Sequence, residues 1–171
     1  MILVTNNEGT LGVPTTVRLL AGGAGGLDAI EAGIRLIEAD PSVRTVGRGG
    51  WPNILGEVEL DASLMDGTSL RTGAVGALKG FLHPVSVARE IMRRLPHELL
   101  VGDGAARFAA EIGAETADNL IADSKAGVAS LVRCRTDRRA EAGLAECRAG
   151  AALPACDRSR DRARHHCVPG P

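Results

Sequence analysis

Residues 47 to 53 read Gly-Arg-Gly-Gly-Trp-Pro-Asn, and this is the stretch of the chain best suited to chemistry. Gly47, Gly49, Gly50 and Pro52 make a loop with no bulky side chain to keep a ligand or another backbone away. The loop also carries the only tryptophan, Trp51, and an amide, Asn53, so a stacking surface and a hydrogen-bonding group lie side by side. Two uses are open: Trp51 and Asn53 line a substrate pocket, or Trp51 packs on a partner subunit. Just downstream, Glu57, Glu59 and Asp61 share one face of a strand, which suits a cation or, more simply, a solvated polar surface.

The elements that must position this loop follow from periodicity. From Glu57 to Asp66 the chain alternates strictly, with Val58, Leu60, Ala62 and Leu64 on one side, the pattern of a half-buried strand. Asp66-Gly67 supplies a tight turn, and Ser69 to Ala77 returns as the second strand of a hairpin. Upstream, Met1 to Thr5 suits a buried first strand ending at the turn-prone Asn6-Asn7-Glu8-Gly9. Pro14 fits the first turn of a helix running to Ala21, and a second helix from about Asp28 places Ala29, Ile30, Gly33, Ile34 and Ile37 on one face until Asp40-Pro41 stops it. Pro84 opens a third helix with the stripe Val85, Ala88, Ile91, Met92 and Leu95, and its Arg89, Arg93 and Arg94 face water. His97 to Val101 reads as a short strand, and Asp103 as the cap of a fourth helix closed by Gly113. The pattern is α+β.

Composition narrows the function. A net charge of −1 gives no reason to expect a nucleic-acid partner. Residues 1 to 5 are too short a run for a signal-peptide core, and no 18-residue apolar stretch exists; a cytoplasmic protein with no membrane span is the expectation. The averages conceal a break. Residues 130 to 171 carry nine arginines against five acids and all four cysteines, Cys134, Cys147, Cys156 and Cys167, with only scattered large aliphatics; they read as a disordered tail.

Several separated strings then carry a family resemblance. Thr-Val-Gly-Arg-Gly-Gly-Trp-Pro-Asn (45 to 53), Glu-Leu-Asp-Ala-Ser-Leu-Met-Asp-Gly (59 to 67), Gly-Ala-Val-Gly (73 to 76), Pro-Val-Ser-Val-Ala-Arg (84 to 89) and Leu-Pro-His-Glu-Leu-Leu-Val-Gly-Asp-Gly (95 to 104) resemble, in order, the amino-terminal half of the asparaginase and glycosylasparaginase family of N-terminal-nucleophile hydrolases. The resemblance covers about residues 1 to 122 and makes 123 to 171 a non-family tail. It implies one half of an αββα sandwich and hydrolysis of an asparagine-type amide, a small-molecule substrate. It implies a substrate-binding role for Trp51, Asn53 and Asn7, with Gly47, Gly49, Gly50 and Pro52 as active-site loop. Asn6, Asn7 and Glu8 occupy the place where glycosylasparaginases carry a substrate-facing tryptophan, which is absent here. In the plant-type branch the glycine loop binds sodium through backbone carbonyls; the wording here departs from that branch, and neither a metal nor a cofactor is assigned.

The resemblance also says what is missing. The family cuts itself before a threonine whose hydroxyl is the nucleophile and whose freed amine is the base, in the motif Asp-Thr-Ile/Val-Gly. The 171 residues do not contain it: after Phe108 the threonines are Thr116 and Thr136, neither followed by an apolar-Gly pair. No catalytic residue is therefore assigned. A change of reading frame or a misassigned gene between Glu115 and Arg135 is the expected cause, a genuine short variant is the rival explanation, and an inactive chain is the expected consequence. The alternative is a non-catalytic scaffold that needs a complementary chain, self-associates or aggregates through an uncovered sheet. A dinucleotide site at Gly102-Asp103-Gly104 fails because the third glycine position is Arg107. Cys156, His165, His166 and Cys167 lack the close paired spacing of a zinc site, and His83 and His97 read as a helix-start and a strand-edge residue.

Overall fold

The computed structural model describes residues 2 to 125, all within one compact unit. The expected disorder of the tail and its cysteine and histidine set beyond 125 lie outside the described residues. A 3-10 turn, Asn7–Leu11, leads to helices α1 (Val13–Ala21) and α2 (Gly26–Ala39). Strands β1 (Leu60–Met65) and β2 (Thr72–Leu78) follow, then α3 (Pro84–Arg94), β3 (Leu99–Val101) and α4 (Gly102–Glu111). The α+β reading holds. The sheet runs in the order β1-β2-β3, with β1 antiparallel and β3 parallel to β2.

One side of the sheet makes the core. Leu60, Val75 and Leu78 pack on Val87, Ala88 and Ile91 of α3 and on Ala105 and Ala109 of α4. The stripe expected on α3 is buried at Val85, Ala88, Ile91 and Met92, and Val87 joins it because the helix meets the sheet on one flank and α2 on the other. Gly73 of β2 exists for this packing: a Cβ there would stand 2.2 Å from the Ala88 carbonyl oxygen. On the opposite side no helix of the described residues covers the sheet, and Met65, Leu99 and Val101 are more than half exposed there.

Three local expectations are corrected. Residues 2 to 5 form no strand, and Ile2 and Val4 are 90% and 85% exposed, because among the described residues no neighbouring strand offers the ladder of hydrogen bonds a strand requires. The hairpin does not close on a two-residue Asp-Gly turn. Asp66 captures the Thr68 N–H through Oδ1 (3.0 Å) and the Ser69 hydroxyl through Oδ2 (2.6 Å), which opens a six-residue loop between Met65 and Thr72. The left-handed residue is then Leu70 (φ 57°) rather than Gly67. Asp103 does not cap α4; Val101 is the cap residue, without a side-chain bond, and Asp103 sits exposed in the first turn.

Candidate active-site loop

The glycine loop is built by the end of α2. Gly47 has φ +60°, and a Cβ on it would lie 2.0 Å from the Glu38 carbonyl oxygen, so only glycine fits. The next residue then reaches that same oxygen, the Arg48 N–H donating to it at 2.7 Å. Gly49 has φ +87° and little more room: its Cβ would meet Ile121 Cδ1 and the Pro41 carbonyl oxygen, each at 2.9 Å. The loop is thus pinned from two directions. Its Gly49 N–H donates to the Asn119 carbonyl (2.8 Å) and its Gly49 carbonyl accepts the buried Ser124 hydroxyl (3.0 Å). Asn119 and Ser124 come from the stretch after α4, some 70 residues on, so distant chain fixes the loop in addition to its own turn, in which the Gly50 N–H donates to the Gly47 carbonyl at 3.1 Å.

The side chains take different parts. Trp51 is 55% exposed, its ring 5.2 Å from the Arg44 guanidinium carbon in a cation–π contact. Arg44 in turn donates to the Ser124 hydroxyl at 3.2 Å. Pro52 is half-buried beside it. The Asn53 carboxamide turns inward on its own loop, its Oδ1 accepting the N–H groups of Leu55 (2.9 Å) and Glu57 (3.1 Å). Asn7 opens the 3-10 turn, and its neighbour Glu8 accepts the Thr45 hydroxyl at 2.5 Å, which ties that turn to the start of the glycine loop. The strand acids are spent on the protein itself. Lys79 Nζ stands 2.8 Å from Glu57 and 3.3 Å from Glu59, while Asp61 Oδ1 accepts the Ala77 N–H. Among the described residues no group of three His, Cys, Asp or Glu could hold a metal ion.

Sequence reasoning missed the buried polar centre beneath the loop. Glu38, one residue past the apolar face of α2, is 3% exposed, and its Oε1 accepts the Val85 N–H at the start of α3 (3.0 Å). Its Oε2 lies 3.1 Å from Nδ1 of His83, the residue that precedes α3 and is itself 7% exposed. Burial pushes the Glu38 carboxyl up to about 8, although the Val85 N–H and Arg35 oppose this. Burial, helped by Arg35, lowers the His83 imidazole. Around the pair, Arg35 donates to the Ser86 hydroxyl (2.8 Å) and Ser86 to Glu31 Oε1 (2.5 Å), while Arg89, expected to face water, is instead largely covered and binds Glu31 and Asp28 of α2. Burial alone would raise Glu31, but the bonds from Ser86 and Arg89 outweigh it and hold the carboxyl below its ordinary value. The one available signal was positional: a histidine just ahead of Pro84 in a helix start, with no carboxylate near it in sequence.

With the geometry in view, a family model described as Asparaginase matches residues 11–160. The chain belongs to the asparaginase family. Its asparaginase relatives include the N(4)-(beta-N-acetylglucosaminyl)-L-asparaginase of Elizabethkingia miricola, 41% identical over 125 residues that make up 73% of this chain and 36% of that one. The rat protein of the same name is 42% identical over 99 residues, 58% of this chain and 29% of its own. An isoaspartyl peptidase/L-asparaginase of Danio rerio is 34% identical over 149 residues, 84% of this chain and 46% of that protein. The chain therefore spans less than half the length of these three relatives. Among the described residues no helix is long and apolar enough to cross a membrane.

Proposed function

We propose that residues 2 to 125 form the amino-terminal scaffold half of an asparaginase-type amidohydrolase that acts on an asparagine side-chain amide, an N-glycosyl-asparagine or a β-aspartyl amide. The observation that carries this reading is the one-sided sheet. Helices α3 and α4 cover one face, while Met65, Leu99 and Val101 stand exposed on the other, in a chain that spans 36% of its Elizabethkingia relative. A bare apolar sheet face calls for a second layer, and an αββα sandwich supplies one. In this reading the glycine loop, with Gly47, Gly49, Gly50 and Pro52, forms one wall of the substrate site, and Trp51, Asn53 and Asn7 lie toward the substrate. The fixed backbone of Gly47 and Gly49 supports that role, since a wall pinned before substrate arrives loses no ordering entropy on binding. For Asn53, Oδ1 serves the Leu55 and Glu57 N–H groups and the side chain also bonds the Glu57 carboxylate, so it holds in shape the loop that presents Trp51.

The nucleophile is not in this half. A threonine hydroxyl activated by its own α-amine, and the oxyanion donors opposite it, belong to the complementary portion. Reading the gene from the Asp103 codon onward in all forward frames tests this directly. A frame that encodes Asp-Thr-Val/Ile-Gly followed by glycine-rich sequence supports a self-cleaving hydrolase. A second test is ammonia release from asparagine and aspartate release from a β-aspartyl dipeptide by the purified 171-residue chain, where turnover would sink the scaffold reading.

A further inference from the structure

We propose that Glu38 is a proton-operated latch on the glycine loop: while its buried carboxyl and the His83 imidazole share a proton the end of α2 stays drawn in, and loss of that proton releases residues 47–51. Contacts at both ends of this one residue carry the proposal. At the side-chain end, Oε1 accepts the Val85 N–H at 3.0 Å and Oε2 meets His83 Nδ1 at 3.1 Å. At the backbone end, the Glu38 carbonyl is among the last four of α2, which have no partner within the helix, and it accepts the Arg48 N–H at 2.7 Å. There is no slack between the two chains, since a Cβ on Gly47 would lie 2.0 Å from the Glu38 carbonyl oxygen and 2.5 Å from its Cα. The coupling runs on to the tryptophan: the Gly50 N–H donates to the Gly47 carbonyl and the Trp51 N–H to the Arg44 carbonyl, each at 3.1 Å. A shift of the Glu38 backbone is therefore passed to Trp51.

Hydrogen-bond arithmetic makes the pair sensitive to one proton. The imidazole stands between two carboxyl groups, Glu38 at Nδ1 and Glu115 Oε2 at 3.7 Å from Nε2. With one proton shared by Glu38 and His83, both ends match: whether it sits on Oε2 or on Nδ1, a hydrogen lies between those atoms and Nε2–H still serves Glu115. Once it leaves for solvent, the neutral imidazole has a single N–H for two anions, and one ring nitrogen turns a lone pair on a carboxylate. Glu38 tolerates this worse than Glu115, because its side chain is 3% exposed against 58%. The other charges nearby are Arg35 and Glu31 on α2, Arg89 on α3, which binds Glu31 and Asp28, and Arg35 also faces Glu115 at 3.7 Å. The Val85 N–H and Arg35 favour the Glu38 anion, but burial outweighs them. A Glu38 carboxylate is relieved by turning toward water, and its carbonyl moves with it. The latch stands whether or not the loop is a substrate wall; that it would loosen such a wall rests on the hydrolase reading.

The test follows Trp51 emission in the folded 171-residue chain from pH 6 to 9.5, where the lack of tyrosine makes this single tryptophan the reporter. The expected result is a shift of the emission maximum with a midpoint near pH 8 at constant far-ultraviolet dichroism. Amide-exchange protection at Arg48 should fall over the same range by at least about tenfold, the factor that one pH unit of proton linkage gives. Glu38→Gln keeps an acceptor for Val85 and a donor for Nδ1 at every pH and should abolish both changes. Glu115→Gln, at an exposed site, should keep them and move the midpoint to lower pH, because His83 then turns its N–H to Glu38 without opposing an anion at Nε2. Flat emission, a shift that survives Glu38→Gln, an unmoved midpoint in Glu115→Gln, or Arg48 protection that falls only in step with that of core residue Ile91 would overturn the latch. None of these readouts involves turnover, so their failure is distinct from failure of the hydrolase reading.

Discussion

Glu38 Oε2 and His83 Nδ1 face each other at 3.1 Å inside the protein, both side chains buried, and together they join the end of α2 to the start of α3. Burial raises Glu38 to about 8 and lowers His83, so the folded pair holds one proton, on Glu38, across the neutral range. In the unfolded chain the ordinary values are 4.5 and 6.5. Between those two values the unfolded pair holds one proton, on His83. From pH 6.5 to about 8 the unfolded pair holds none and the folded pair still one. Stability should therefore fall as pH rises through that window, by roughly 1.4 kcal/mol per pH unit. Urea melts at half-unit pH steps between 6 and 8.5 check this slope.

Glu38→Gln imitates the protonated carboxyl, accepting from Val85 with its oxygen and donating to His83 with its nitrogen. It should match the parent near pH 6 and lose the decline between 6.5 and about 8. Glu38→Ala strands the Val85 N–H and the imidazole and should cost about 2–4 kcal/mol at any pH. A Gln variant that kept the full slope would place the titrating group elsewhere.

Gly47→Ala should be among the most damaging single-methyl changes in the protein. Its φ of +60° is unfavourable for alanine, and the added carbon would sit 2.0 Å from the Glu38 carbonyl oxygen. A loss of more than about 2 kcal/mol is expected, from backbone strain plus the displaced loop. Gly104→Ala is the control: it lies within α4 with nothing within 4 Å of the new carbon, and should stabilise by about 0.5–1 kcal/mol. Thermal melts of the two variants should move in opposite directions.

Ser124→Ala removes the hydroxyl that joins the Arg44 guanidinium to the Gly49 carbonyl. A buried carbonyl loses its donor, at a cost of about 1–3 kcal/mol. Freed from Ser124, Arg44 should also shift over the Trp51 ring, and Trp51, the only tryptophan, reports this as a changed emission maximum in the folded state. An unchanged spectrum would mean that Trp51 and the loop are held without Ser124.

Asp61→Ala tests the irregularity in the hairpin. The β1–β2 register slips between Leu60 and Ala62, Ala77 has φ +51°, and Asp61 Oδ1 holds the Ala77 N–H at 2.7 Å. Loss of the carboxylate should cost about 1 kcal/mol, with Ala77 becoming fast in amide hydrogen exchange. Asp61→Asn keeps an acceptor and should keep most of the protection.

Period and punctuation made the helices and the hairpin legible: the stripe Val85, Ala88, Ile91 and Met92 and the alternation Val58, Leu60, Ala62 and Leu64 are local facts about which side of an element is apolar. Family membership was legible for a related reason, because ordered motifs such as residues 45 to 53 are runs of adjacent residues. The tertiary structure decided what adjacency cannot carry. The Met65 to Thr72 loop shows the difference at short range, since the side chain of Asp66 outcompeted the Gly67 turn for the backbone donors. Glu38 has no partner near it in sequence and is a buried acid only because α3 brings the Val85 N–H and His83 onto it from 45 residues away. Gly49 reads as a loop residue open to a ligand or another backbone and is fixed because Asn119 and Ser124 close on it from about 70 residues further on. A sequence specifies side-chain chemistry at every position, but burial, and with it protonation, rigidity and the cost of an unmet hydrogen bond, belongs to the neighbours the fold supplies.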